Sequence, residues 1–215
     1  MARKIDVIFS DIEPGLALRK ALGMTPESIL ATIKESHLRG RGGAGFPTGL
    51  KWEAARSVGK PTCFVCNADE GEPGTFKDKR ILELVAAKVI EGMVIGARAI
   101  GAERGFIYLR GEYNYLRPAI LARMEELRKL GLLGKDICET EGFCFDLQLR
   151  LGSGAYVCGE ETALIESLES RRGEPRNKPP YPAERGFLGM PTVVNNVETL
   201  AFIPHIIMQG GPWFQ

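Results

Sequence analysis

The sequence predicts an α/β fold in which a mainly parallel sheet carries helices on both faces. Short apolar runs that read as buried strands alternate with longer segments of helical periodicity, and no internal repeat breaks the alternation. A glycine-rich run, Leu38-Arg-Gly-Arg-Gly-Gly-Ala-Gly-Phe-Pro-Thr-Gly-Leu-Lys-Trp52, stands between two of the helical segments.

The elements follow in order. Residues 1–24 read as an N-terminal extension to a single domain spanning 25–215. Thr25 suits an N-cap, Pro26 the first helical position and Glu27 the positive helix end, while Ile29, Leu30 and Ile33 keep helical spacing up to Ser36. Leu50 to Val58 reads as a short helix leaving the glycine run, and Cys63 to Cys66 as a buried strand. A long helix is expected from Lys79 to Ile100, with Leu82, Val85, Ala86, Val89, Met93 and Ala97 on one face and Gly101 ending it. Gly105 to Leu109 is the next strand, and Tyr115 to Leu130 a helix with Pro118 in its first turn. Phe143 to Leu149 alternates as a strand should, and Glu160 to Glu169 reads as a helix. Arg171 to Pro191, rich in Pro, Gly and cations, reads as a long loop serving as a functional cover. Val197 to Met208 closes the chain with a helix interrupted near Pro204.

Composition narrows the function classes. The 215 residues are 44% hydrophobic and 26% charged, ordinary for a globular protein, and the formal net charge is +1. That balance favours neither nucleic acid nor a membrane surface. No apolar run approaches the roughly 20 residues of a membrane span, and Met1 to Asp6 lacks a signal peptide's apolar core. Five cysteines without a framework spacing fit a reducing, cytoplasmic setting. Cys63 and Cys66 spell C-x-x-C, but residues three apart on a strand point to opposite faces, so they read as core cysteines. Two histidines, His37 and His205, give a metal site or catalytic triad little to build on.

The glycine run carries the first chemical signal. Five of the ten residues from Gly40 to Gly49 are glycine, bracketed by Arg39, Arg41 and Lys51. Glycine lets bare N–H groups approach a ligand, and successive N–H groups form an anion nest. Read literally, Gly40 to Gly45 spells G-x-G-x-x-G, which in a dinucleotide fold follows a strand. Here it follows a helix, which disfavours a Rossmann dehydrogenase. A flexible loop is the plain alternative.

Three more polar islands end separate elements: Asn67-Ala-Asp-Glu-Gly-Glu-Pro-Gly-Thr-Phe76, Gly152-Ser-Gly-Ala-Tyr-Val-Cys-Gly-Glu-Glu-Thr162 and Val193-Val-Asn-Asn-Val-Glu-Thr199. Acids and amides after a buried strand stand where open α/β sheets bind ligands. Each also has a structural use: Asp69 and Glu70 suit a turn, Glu160 and Glu161 a helix start, Asn195 and Asn196 helix caps.

Together the four segments resemble the family of flavin-binding, NADH-oxidising 51-kDa subunits of respiratory complex I. Within it they are similar to the diaphorase subunit of NAD-reducing hydrogenases and the beta subunit of NAD-dependent formate dehydrogenases. The likeness runs from about Asp11 onward. It implies a Rossmann-like sheet with a glycine-rich FMN loop. It further implies an FMN site at Gly40, Arg41, Gly42, Gly43, Lys51, Asn67, Asp69, Tyr156, Gly159, Glu160, Val194, Asn195 and Asn196. Glu72 and Glu161 would be the acids beside the nicotinamide, and Phe46 and Tyr181, with Lys178, would surround the adenine. Ala54 stands where relatives often carry a further aromatic. The implied reaction is hydride transfer between NAD(H) and FMN, followed by one-electron transfer to iron–sulfur centres of partner subunits, the cofactor supplying the redox chemistry. No side chain is then required as general acid or base, and no direct membrane insertion is implied. The family continues into a ubiquitin-like domain and a [4Fe–4S] bundle; neither is expected in these residues, whose scattered cysteines lack that cluster's spacing. A truncated, non-catalytic nucleotide-binding or subunit-interaction scaffold is the alternative.

Overall fold

The apolar run at Cys63 forms the central strand of the computed structural model, which describes residues 7–59, 61–152 and 154–215; Met1 to Asp6 and Ser153, noted above, lie outside the described residues. Among the described residues four strands, β1 (Thr62–Ala68), β2 (Ala102–Leu109), β3 (Asp146–Leu151) and β4 (Thr192–Asn196), form one sheet ordered β3-β2-β1-β4, and every pairing is parallel. The described residues also form eight α-helices: α1 (Leu16–Leu22), α2 (Pro26–Glu35), α3 (Thr48–Ser57), α4 (Lys77–Ile100), α5 (Arg117–Lys129), α6 (Glu161–Leu168), α7 (Val197–Gln209) and α8 (Gly211–Phe214).

The chain steps from β1 through α4 to β2, and through α5 to β3, always in one direction across the sheet. It then returns past β1 to place β4 on the far side. Parallel crossovers are right-handed, so reversing direction moves the connecting helix to the other face. That is why α6 stands alone opposite the main helical layer. The alternation of β1 shows both layers. Phe64 and Cys66 join the large core with α1 to α5 and α7, whereas Cys63 and Val65 join a smaller core with Leu164, Ile165, Phe106 and Phe187. The two cysteines therefore do face opposite ways. Burial raises both thiols, Cys63 to about 12, which keeps them protonated.

The larger core closes around α4, whose second half is buried on every side. A helix so enclosed needs places where neighbours come within backbone distance. Gly92 and Gly96, one turn apart, provide them: a Cβ on Gly96 would lie 2.5 Å from the Phe64 ring, and one on Gly92 would lie 2.2 Å from the Leu200 carbonyl oxygen of α7. The second contact corrects the expected break near Pro204. Proline has no N–H to offer the Leu200 carbonyl, yet α7 runs unbroken from Val197 to Gln209. The freed carbonyl faces the bare backbone of Gly92, and packing of α7 on α4 carries the helix through.

Further elements depart from the sequence expectations, among them the strand expected from Phe143, which starts at Asp146. Helix α1, inside the stretch read as an extension, buries Ala17, Leu18 and Ala21 in the main core, and Glu91 of α4 accepts the Leu18 N–H at 2.8 Å. Strand β4 lies within the Asn195 island. The helix expected from Tyr115 starts at Arg117, after a 3-10 turn from Gly111 to Leu116.

Substituting Gly92 by alanine tests the α4–α7 contact. Backbone meets backbone there, so relief requires the helices to separate. Gly92→Ala is expected to destabilise the fold by about 3 kcal/mol, read as a lowered urea midpoint. A midpoint within error of the unsubstituted protein would show that the crossing yields freely.

Candidate functional site

The strand order reverses between β1 and β4, and ligands of open α/β sheets bind outside the carboxyl ends of strands at such a point. In register, Cys66 pairs with Asn195 and Asn67 with Asn196, so the two amide-rich islands meet there.

The glycine run is a protruding loop closed at its base. The Gly40 N–H donates to the Phe46 carbonyl at 2.9 Å, the Thr48 N–H donates to the Leu38 carbonyl at 2.9 Å, and Arg39 bridges Pro47. Helix α2 precedes it and α3 follows, so the strand required by the dinucleotide spelling is absent before it. Gly43 and Gly45 take positive φ (114° and 63°), which explains glycine at those two positions. Neither conformation nor packing explains Gly40 and Gly42: both lie outside the left-handed region, and an added Cβ would meet ordinary contacts at 3.5 and 3.4 Å. Bare backbone without an internal reason for it fits a group that approaches from outside.

Asn195, almost fully buried, accepts the indole N–H of Trp52 on Oδ1 at 2.8 Å, and its Nδ2 has no hydrogen-bond partner among the described residues. Asn196 caps α7 by accepting the Glu198 N–H at 2.9 Å and donates to the Asp78 carboxylate at 2.6 Å. Asn67 donates to the Gly159 carbonyl at 2.8 Å and accepts the Asp69 N–H at 3.1 Å. The capping uses foreseen for these amides are therefore partly realised, and Asn195 keeps a free donor.

Charged side chains form a chain across the mouth. Lys51 donates to the Val194 carbonyl at 3.1 Å and to Glu161 at 3.2 Å; Lys178 donates to Glu161 at 3.2 Å and to Glu160 at 2.9 Å. Glu160 also caps α6, accepting from the Thr162 and Ala163 N–H groups at 2.8 and 2.9 Å. Burial pushes its carboxyl upward, but Thr162, Lys178 and the helix N–H groups pull harder and hold it below the usual range. Partly exposed ion pairs of this kind contribute on the order of 0–1 kcal/mol each, so an entering phosphate can replace Glu161 at either lysine with little loss.

On the other side, the Tyr156 hydroxyl donates to Glu72 at 2.7 Å, which raises the phenol's pKa. Phe46 and Tyr181 are half exposed, and no ring contact joins them among the described residues. Ala54 lies on the exposed side of α3. The structure thus joins Lys51, Glu160, Glu161, Lys178 and Val194 in one bonded chain, and Asn67 with Gly159 and Asp69 in another. Glu72 and Tyr156 form a separate pair.

Several contributors were not singled out from the sequence. Trp52 positions Asn195, and Thr199 accepts the Arg41 N–H at 2.9 Å. Glu70, foreseen as a turn former, instead caps α4 by accepting the Asp78 and Lys79 N–H groups at 3.0 and 3.2 Å. Its distance of eight residues from Asp78 hides it from any capping pattern; a buried glutamate just before a helix is the one available hint.

The family model described as the Nuo51 FMN-binding domain matches residues 33–205. The chain is 53% identical over 199 residues to the alpha subunit of the NAD-reducing hydrogenase HoxS of Cupriavidus necator, covering 92% of this chain and 33% of that protein. It is 50% identical over 224 residues to a subunit of the NADH-quinone oxidoreductase of Rhizobium meliloti, covering 100% of this chain and 53% of that one. A solved NAD+-reducing [NiFe]-hydrogenase in the H2-reduced state superposes with a TM-score of 0.88 at 42% identity, over 98% of this chain and 36% of the other. The chain spans between a third and about half the length of these curated relatives.

Asp69 gives a measurable signature of the site. Its carboxylate makes no hydrogen bond among the described residues, and burial raises its pKa to about 6, with Arg110 opposing and Glu112 adding. An unfolded aspartate titrates near about 3.9, so between these values the unfolded chain loses its proton first. Asp69 is therefore most favourable to the fold below about pH 4, and that contribution is lost as pH rises through about 6. The stability difference between the parent and Asp69→Asn is expected to move against the parent from pH 4 to 6.5 and to level above pH 7 in urea melts. A difference independent of pH would show that Asp69 is solvated like a surface carboxylate.

Proposed function

Because the chain belongs to the Nuo51 FMN-binding domain family, we propose that it is the flavin module of an NADH dehydrogenase (diaphorase). On this reading it holds FMN and NAD(H) at the carboxyl edge of its sheet and passes electrons to iron–sulfur centres of partner subunits. The observation that carries the reading is the glycine loop at the strand-order reversal, where Gly40 and Gly42 leave bare backbone that no internal packing requires.

The residues present fit the flavin. Backbone N–H groups of the loop, with Lys51, form an anion nest for its phosphate. Asn195 offers its free Nδ2 to a ring edge or ribityl hydroxyl, held in place by Trp52. When bound, FMN supplies the hydride-accepting and one-electron chemistry. The protein's contribution is alignment: reacting rings must be held near contact, and fixing that geometry is worth several kcal/mol of barrier. On this reading Glu72 and Glu161 are the acceptors for the nicotinamide end, while Phe46, Lys178 and Tyr181 supply an aromatic and cationic rim for the adenosine end. Relatives bearing this domain are named as subunits of oxidoreductases and hydrogenases, which supports the reading that electrons pass to partner subunits. Among the described residues no helix is long and apolar enough to cross a membrane.

A non-catalytic nucleotide-binding scaffold is the second reading. It is favoured by Ala54, which withdraws one aromatic wall, and by the internal neutralisation of Lys51 and Lys178. Colour separates the two. The purified protein is expected to take up FMN, turn yellow and bleach when NADH is added without oxygen; a protein that takes up no flavin would favour the scaffold. In a flavin-loaded protein, Glu161→Gln is expected to raise the KM for NADH several-fold with FMN retained. Loss of flavin absorbance from that variant would instead move Glu161 to the flavin.

A further inference from the structure

Arg41 has the position of a phosphate ligand, inside the glycine loop and without a carboxylate partner among the described residues. Its contacts point elsewhere. Its N–H donates to Thr199 Oγ1 at 2.9 Å, and its guanidinium carbon lies 5.7 Å from the centre of the Phe202 ring, a cation–π distance. The next residue, Gly42, brings its backbone toward the Cβ of Asn196, within 3.4 Å of where its own Cβ would be. Asn196, Thr199 and Phe202 recur every third residue at the start of α7 and so lie along one stripe of the helix. The first limb of the glycine loop is laid on that stripe. The second limb differs: a Cβ added at Gly43 or Gly45 would meet nothing within 4 Å.

We propose that Thr199 and Phe202 are positioning residues for the glycine loop, with Arg41 as the tether that fastens it to α7 and not as a ligand of the flavin phosphate. The stripe is itself braced. The Phe202 ring packs edge-on against Phe214 with centroids 5.0 Å apart, and Trp213 lies 6.3 Å from Phe214. Helix α8, which carries both rings, is seated on α2 where Gly211 meets Thr32 and Glu35, and the Gln215 amide donates to the Glu35 carbonyl at 2.5 Å. The compact, strongly hydrated ammonium of a lysine makes such a ring contact less well than a guanidinium does, so Arg41→Lys loosens the tether while keeping the charge that a phosphate contact would use. The free limb then closes on a ligand while the tethered limb keeps the loop in register with Asn195 and Asn196.

The consequence for flavin affinity rests on the function proposed above; the tether does not, and the test separates them. Amide hydrogen exchange of residues 40–46 is measured on the ligand-free protein by mass spectrometry. Arg41→Lys and Phe202→Leu are each expected to speed exchange there about two- to fivefold, and Phe202→Tyr to restore the parent rate. Affinities for FMN and riboflavin are then compared by fluorescence quenching. A tether predicts that Arg41→Lys and Arg41→Gln weaken both flavins by the same factor, and that adding Phe202→Leu to Arg41→Gln weakens them no further. Unchanged exchange in both Arg41→Lys and Phe202→Leu would overturn the proposal, as would a loss in Arg41→Gln confined to FMN, the mark of a phosphate ligand. If the parent protein binds neither flavin, the flavin reading fails, and the exchange rates still decide the tether.

Discussion

The bond from the Trp52 indole to Asn195 organises the carboxyl edge of the sheet. Both residues are buried, at 0% and 4% exposure, and the bond is 2.8 Å long. A buried polar group left without its partner loses about 1–3 kcal/mol, so the pair holds only if α3 and β4 stay in register. The adjacent residues repeat the link: Lys51 donates to the Val194 carbonyl while Trp52 donates to Asn195. The indole also packs edge-on against Phe64 of β1, with centroids 5.7 Å apart, in space left by Gly96. One side chain thus ties the helix after the glycine loop to the central strand, the edge strand and the long helix.

Given that frame, the placement of positive potential follows. Helices that begin beside the switch point direct partial positive charge toward it, but three of them satisfy their own first turns. Glu70 caps α4, Glu160 caps α6 and Asn196 caps α7. Among the described residues, helix α3 has no side-chain cap, and the buried Thr48 hydroxyl at its start has no partner. That is the helix the glycine loop runs into. Anion-binding capacity is therefore concentrated where the loop and an uncapped helix start coincide, the combination that cradles phosphates in other folds.

What the sequence disclosed divides by range. Periodicity located α2, α4 and β1, because amphipathic spacing and capping are local. Alternation on β1 also placed Cys63 and Cys66 on opposite faces. The misses are tertiary. Strand β4 has five residues and ends in two asparagines, so its polar signal outweighed its apolar one until pairing with β1 was visible. Pro204 reads as a break because its lost bond is local, while Gly92, which accommodates the freed carbonyl, lies more than a hundred residues away. Among the site residues, glycines and amides announced themselves by type. Trp52, Thr199 and Phe202 did not, since a core aromatic and a helical hydroxyl look alike whether or not they position a loop.

The ion-pair chain at the mouth has a consequence for how the cover is held. Besides the bond from the Arg176 N–H to Thr162 Oγ1 at 2.8 Å, the segment from Arg171 to Pro191 is attached to α6 by two sets of charged contacts of different character. At its base, Arg176 bonds Glu166, reaches Glu169 at 3.0 Å, and donates to the Gly186 carbonyl at 3.1 Å; the Glu169 side chain is 4% exposed. Breaking that set would leave a desolvated carboxylate, which is expensive. Nearer the mouth, Lys178 holds Glu160 and Glu161, whose side chains are 35% and 24% exposed. Water or an incoming phosphate can take over either partner there at small cost. The two attachments therefore differ in strength by their burial, not by their charge. The firm one sits at the far end of α6 and the exchangeable one at its start, so the segment is fixed at one end while Lys178 at the other can exchange its partners.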